Sequence, residues 1–350
     1  IMLGIILFGD EPLGWRFFPI LASSISILLV YEITLLIFKK KFSSFIAALL
    51  FATDIMAFNI GQIGILDAPS MMFVLAGIIL LLRESNDLGS LFFGLASLCK
   101  LNAVLPAAGV IIFLICTRYT KHEKISNYLR ENAPLIGRIF FIGFITLLIG
   151  LWVYDARYEA FENNPVGHLS YMYHYHTSLS YQNTEDVILP LEWINPLDPF
   201  SPVEYYVTTE KEISNSGGLR EYHPIAYYGI YSPLWWSVWM LVPVSLMEIV
   251  GNISENKEQG TGLFTLSWVV ANFFPYVLAA YVMKRWVYPF YFTMSLPGLY
   301  IGLSSYLNRS RLSKIFLTAL VLTHLFWFCM WFPVKPKVVT DLLLLLGLPA

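Results

Sequence analysis

Residues 14–38 read GWRFFPILASSISILLVYEITLLIF. Arg16 and Glu32 are the only charges in a run long enough to cross a bilayer, for which about 20 residues rising 1.5 Å each suffice. A helix on the surface of a soluble domain carries an apolar stripe, whereas this run is apolar on every side. The same texture recurs along the chain, giving candidate spans at 13–38, 42–61, 66–83, 88–100, 102–117, 134–154, 231–250, 262–283, 286–306 and 315–332. The pieces 88–100 and 102–117 are short and read as two half-length spans meeting near Lys100, or as one hairpin. Residues 1–9, IMLGIILFG, are too few to span and read as interfacial.

Composition agrees. Of 350 residues 57% are hydrophobic and 13% charged, more apolar surface than one soluble core of that length can hide. A net charge of -2 carries no nucleic-acid signature. Cys99, Cys116 and Cys329 lie inside apolar blocks and read as small buried hydrophobes, with no disulfide or metal framework. The opening has no charged n-region and no small-residue cleavage site, so it is not a signal peptide. It reads as text that begins downstream of a first span and a first outer loop.

Lysines and arginines orient the spans, because short cytoplasmic loops are enriched in them. Three clusters fall on alternate connections: Lys39–Lys41; Arg118, Lys121, Lys124, Arg130 and Arg138; and Arg309, Arg311 and Lys314. With all three cytoplasmic, the spans alternate without conflict. The sequons at Asn252 and Asn308 then face the cytoplasm and are expected to stay unmodified. Three parts follow: N-terminal transmembrane helices over 1–154, an outer loop over 155–230 and C-terminal transmembrane helices over 231–350. A loop of that length without structure is unusual and often functional. Gly217-Gly218 marks a turn in it.

That topology gathers costly polar residues on the outer face: Arg16, Asp54, Asp67, Lys100, Asn102 and Arg285. Ionisable groups near membrane depth are functional candidates by default. Snorkelling to headgroups competes for Arg16, Lys100 and Arg285. Carboxylates have short stems and snorkel poorly, so Asp67 and Asp54 are the candidate catalytic groups. Helix capping competes for Asp67, which precedes Ala-Pro. In VGHLSYMYHYHTSLS (166–180), His174 and His176 can ligate a metal together if the segment is extended. Tyr171, Tyr173, Tyr175, Trp193, Tyr205 and Tyr206 offer an acceptor-binding surface or an interfacial aromatic belt.

The run 14–38, then ATDIMAFNIGQIGILDAPSMMF (52–73) and GLASLCKLNAVLPAAGVIIFL (94–114), resembles the dolichyl-phosphate-mannose protein mannosyltransferase family. The likeness continues at YHTSLS (175–180), LPLEWIN (189–195), YYGIYSPLWW (227–236) and RWVYPFYF (285–292). It is similar, more distantly, to the lipid A aminoarabinose transferases. The resemblance implies an all-α polytopic membrane protein, a GT-C type transmembrane helix bundle with a long outer loop. It further implies a multi-pass protein of the cell membrane, with its active site facing the extracytoplasmic side. The implied donor is a sugar on a polyprenyl (dolichyl) phosphate and the acceptor a protein or lipid hydroxyl. By this likeness Arg16, Lys100 and Arg285 bind the donor phosphate, Asp67 is the Asp of the family's LD motif, and His176 and Glu192 match a loop His and an acidic residue beside a Trp. Two departures stand out. The family's leading acidic pair precedes a segment like 1–15, and Asp10-Glu11 follows that hydrophobic piece instead of preceding it. Gln62 stands where many members carry Arg.

Transfer from a lipid phosphate needs a base for the acceptor hydroxyl and fixed positive charge for the departing phosphate. The base is expected upstream, with Asp67 assisting. No cofactor is specified by the sequence, and a divalent ion bridging Asp67 and a loop His could replace one cation. A transporter of a lipid-linked substrate would instead place broken, charged spans at the bilayer midplane and show a repeat, neither of which is found. A non-catalytic membrane subunit would tolerate loss of the acidic pair.

Overall fold

The computed structural model describes residues 2–117, 125–184, 187–195, 203–213, 220–229, 232–255, 257, 260–307, 311–332 and 337–345, with only the backbone course for 203–213 and 220–229. The turn expected at Gly217-Gly218, the sequon at Asn308, and Arg118, Lys121, Lys124 and Arg309 lie outside the described residues.

Each expected span contains at least one helix, and 42–61 contains two. After α1 (Met2–Phe8) come α2 (Pro12–Phe38), α3 (Lys41–Ala52), α4 (Ile55–Gln62), α5 (Asp67–Leu82), α6 (Asn86–Cys99), α7 (Val104–Thr117) and α8 (Ile125–Tyr158). The loop region holds α9 (Pro165–Ser178), α10 (Pro190–Trp193) and the strands β1 (Val203–Ile213) and β2 (Arg220–Gly229). Then follow α11 (Val238–Ser254), α12 (Thr261–Tyr281), α13 (Leu296–Leu307), α14 (Arg311–Trp331) and α15 (Lys337–Leu345). Among the described residues five helices are long and apolar enough to cross a membrane, six if α3 and α4, bent by 63°, are taken as one span. The bend is written at Asp54. It leaves helical geometry (φ -74°, ψ 119°), and its carboxylate accepts the Ala57 N–H, ending one helix and starting the next.

Apolar side chains point both ways, as the bilayer permits. Val30, Ile33, Leu50, Val74, Leu75 and Ile78 are fully buried between α2, α3 and α5, while Leu28, Phe141 and Val250 face outward. Small residues set the closest crossings: a methyl group on Gly77 would lie 3.0 Å from the Gly89 carbonyl oxygen, so α5 and α6 touch backbone to backbone. Ion pairs Glu32–Arg83 and Asp87–Arg138 tie α2 to α5 and α6 to α8 at the end carrying Lys39–Lys41. The opposite ends of α5, α6 and α12 bear the polar residues considered next.

The segment 155–230, expected as an outer loop, is not structureless. Strands β1 and β2 pair antiparallel, with the register shifting between Thr208 and Glu210. The segment 165–178 is a helix, not an extended strand, started by Pro165 and by Asn164, whose side chain accepts the Val166 and Gly167 N–H groups. That overturns the extended pairing of His174 with His176: two residues apart on a helix, they point about 200° away from each other. Trp193 is fully buried against Phe273 and Tyr276, so it is core and not acceptor surface.

Candidate active site

Lys100 ends α6. Its backbone leaves the helix (φ -157°, ψ 123°), and the side chain turns back to donate from Nζ to Asp67 Oδ1 at 2.6 Å. Asp67 sits in the first turn of α5, where the helix dipole favours a carboxylate. Its side chain is 8% exposed and that of Lys100 24%, so the pair lies at the edge of a recess. The rings of Phe290 and Tyr291 flank the ammonium, their centroids 4.8 and 4.9 Å from Nζ. Tyr291 stacks on Tyr276 at 5.0 Å. The Tyr276 hydroxyl accepts from Asn102 Nδ2 at 2.9 Å, leaving Asn102 Oδ1 buried without a partner.

The second cation arrives from the turn after α12. Residues 284–286 run antiparallel to 179–181: Tyr181 N–H donates to the Lys284 carbonyl at 3.0 Å and Trp286 N–H to that of Leu179 at 2.9 Å. Lys284 takes a left-handed φ of 50°, which swings Arg285 back toward α9. Arg285 Nη2 donates to His176 Nδ1 at 3.0 Å, and its Nε is buried without a partner. An imidazole nitrogen that accepts from a guanidinium is unprotonated. Consistently, burial pushes the His176 pKa down, and the charges of Arg285 and then Lys100 push it further. Both cations therefore bear on one imidazole, although they are 185 residues apart (285 minus 100).

The remaining expected residues divide. Asp54 does not join this group. It is fully buried elsewhere, accepting from Ala57 N–H, from Trp235 Nε1 at 2.9 Å and from the Tyr300 hydroxyl. Arg16 lies about 10 Å along α2 from Ser23, which shares a cleft with Asp67, and it forms no ion pair with another described residue. His174 is exposed, edge-on to Tyr173. Glu192 is exposed on α10, beside Tyr281 at the end of α12. Among the described residues no three His, Cys, Asp or Glu side chains are grouped to hold a metal. Asp67 Oδ1 is engaged by Lys100 and His176 Nδ1 by Arg285, so a divalent ion between the two residues would have to use Asp67 Oδ2 and His176 Nε2.

A cleft extends from Asp67 between α2 and α4, lined by Ser23, Ser26, Phe51, Ile60, Gly61 and Met71, and continues past Ile20, Ile27 and Phe58. An acidic–basic recess opening on such a cleft joins a polar head site to an apolar channel.

Residues 1–149 match the model of the dolichyl-phosphate-mannose-protein mannosyltransferase family. The mannosyltransferase likeness read from residues 14–114 is thus present where its motifs lie. No curated protein matches the chain by sequence. Among solved structures, ArnT from Cupriavidus metallidurans bound to undecaprenyl phosphate is 16% identical over 91% of this chain, with a TM-score of 0.56. ArnT from the same organism in the apo state gives 14% and 0.55. The chain spans half the length of these ArnT structures. The shared fold is the GT-C type membrane bundle, as the mannosyltransferase likeness implied.

Sequence reading missed the ring contacts on Lys100, because Phe290 and Tyr291 look like any interfacial aromatics until the 3₁₀ turn Pro289–Ser295 folds them back. It also missed Asp155, which closes the long apolar run of α8 and binds His168. A lone carboxylate at the end of an apolar run was the available signal.

Proposed function

We propose that this chain is a polyprenyl-phosphate-dependent glycosyltransferase. It moves a sugar, mannose by family likeness, to a hydroxyl of a protein Ser or Thr or of another acceptor at the outer membrane face. The carrying observation is the convergence of Lys100 and Arg285, from distant segments, around a neutral His176 beside an apolar cleft. The acceptor oxygen attacks the anomeric carbon as the bond from that carbon to the phosphate oxygen breaks. The electron pair leaves with the polyprenyl phosphate, and the acceptor proton passes to a carboxylate base.

Lys100 and Arg285 stabilise the charge building on the leaving phosphate, where fixed cations at a water-poor edge act most strongly. Asp67 aims Lys100. Phe290 and Tyr291 hold the ammonium from the other side. Arg16 approaches along α2, and the isoprenoid tail lies in the cleft between α2 and α4. Membrane lipids surround the bundle.

Transfer of radiolabelled mannose from a polyprenyl phosphate by the full chain tests this reading. Asp67→Asn and Arg16→Ala are expected to lower transfer with membrane insertion intact, and wild-type turnover by both would refute the assignment. A transporter of lipid-linked substrate would instead move labelled lipid between leaflets without forming product.

A further inference from the structure

We infer that Asp155 and His168 form a positioning pair that seats α9, and through it delivers His176 to Arg285. The pair lies at the other end of α9 from the phosphate site, and the inference rests on the glycosyltransferase reading above. Asp155, the fourth residue from the end of α8, is fully buried. Its Oδ1 is 2.7 Å from His168 Nδ1, and its Oδ2 is buried without a partner. Phe161 stacks on the His168 ring at 4.0 Å, closing it from the outer side. A carboxylate with one unused oxygen in an apolar end of a helix is costly, so the single bond it does make fixes the histidine firmly.

The connection between α8 and α9 shows what is being held. Glu159, Phe161, Glu162 and Asn163 all have left-handed φ, from 48° to 58°. Side-chain-bearing residues disfavour that region, and four of five consecutive positions occupy it. The turn therefore does not hold its shape by local preference. Two side chains close it: Asn164 caps α9, and His168 ties its first turns to Asp155. The backbone adds three bonds: Ala160 N–H to the Asp155 carbonyl at 3.0 Å, Asn163 N–H to that of Ala160 at 3.0 Å and Asn164 N–H to that of Phe161 at 2.9 Å.

From there α9 is a rigid lever. His176 lies eight residues beyond His168, about 12 Å along the axis. That length separates two roles. A base must reach the reacting hydroxyl within hydrogen-bond distance, and 12 Å exceeds the reach of a hexose carried on the bound phosphate. His168 with Asp155 is therefore not catalytic, and it acts through where it puts the far end of α9. Displacing that end loosens two things together: the His176–Arg285 bond, and the pairing of 179–181 with 284–286 that aims Arg285.

The test compares Asp155→Ala with Asp155→Asn in the full chain, since asparagine keeps an acceptor for the His168 N–H. Two measurements are read: amide hydrogen exchange by mass spectrometry, and steady-state transfer from a polyprenyl-phosphate sugar. For Asp155→Ala, exchange of the Tyr181 and Trp286 amides is expected to quicken about tenfold. The donor KM is expected to rise about tenfold with kcat within about twofold of wild type. Asp155→Asn is expected to restore both. Exchange in α5 and α6 reports the rest of the fold. If Asp155→Ala also loosens those helices, His168→Ala with His168→Gln as its rescue makes the same comparison. Unchanged exchange at Tyr181 and Trp286, loosened exchange with unchanged KM, or no rescue by the conservative variant would each overturn the inference. A wild-type chain without transfer activity would refute the glycosyltransferase reading alone, and the exchange comparison would still decide whether the pair seats α9.

Discussion

Asp54 and Asp67 are two buried carboxylates 13 residues apart (67 minus 54), and their surroundings are opposites. Around Asp54 the partners are neutral and saturated. Trp235, Tyr300 and the Ala57 N–H all donate to it, and nearby His324 bridges Ser232 and the Leu50 carbonyl. Around Asp67 the partner is a cation, and the neighbourhood keeps unspent hydrogen-bonding capacity at Asn102 Oδ1 and Arg285 Nε. The first cluster holds the bend of α3 against α4 to the C-terminal helices. The second joins the ends of α5 and α6 to the turn after α12 and carries the charges that the proposed function assigns to phosphate binding.

The largest effect that can break this comparison belongs to Asp54. Asp54→Ala strands the Trp235 and Tyr300 donors in the core, for an expected loss of about 3–5 kcal/mol of stability. Thermal unfolding in detergent measures it. A normally stable variant that lost only activity would move Asp54 into the catalytic group. Lys100→Met should do the reverse: kcat/KM for transfer falls about 10²–10³-fold, with an unfolding midpoint near wild type. Arg16 forms no ion pair with another described residue. Arg16→Ala is therefore expected to cost about tenfold in transfer and little stability.

The smallest effect is a pH dependence. Burial and two cations hold the His176 pKa below that of the unfolded chain. The folded state thus favours the neutral ring. Its contribution is complete above the unfolded value of about 6.5 and is lost as pH falls below that toward the folded value. Protonated, both ring nitrogens are donors and Nδ1 releases Arg285. Transfer should fall severalfold on acidification, and His176→Asn, which keeps an acceptor at every pH, should flatten that acid limb. An unchanged limb would separate His176 from Arg285.

Much of this was legible in the sequence, for a physical reason. A bilayer demands long apolar runs, so the candidate spans stood out, and among the described residues five helices, or six with the bent α3–α4 pair, are long and apolar enough to cross. Topology put Lys100 and Asp67 at one end of the bundle, since both sit at helix ends there, but their ion pair was not read from the sequence. What stayed hidden depends on irregular backbone. The break at Asp54 looked like one more polar residue near a span end, because nothing local announces partners at Trp235 and Tyr300. His176 was found but given the wrong backbone: alternating Tyr and His mimic a strand, while the Asn164-Pro165 start makes the segment helical. Asp155 was passed over as the first residue of a loop, when it is the buried end of α8.

The most direct measurement is equilibrium binding of a polyprenyl monophosphate to the purified full chain and to its Lys100→Met and Arg285→Gln variants, with Asp67→Asn alongside and the uncharged polyprenol as competitor. The expected result is saturable binding by wild type that polyprenol does not displace, weakened at least about tenfold by each cation substitution and less by Asp67→Asn. Equal affinity across wild type and both cation variants would contradict a phosphate site built from Lys100 and Arg285.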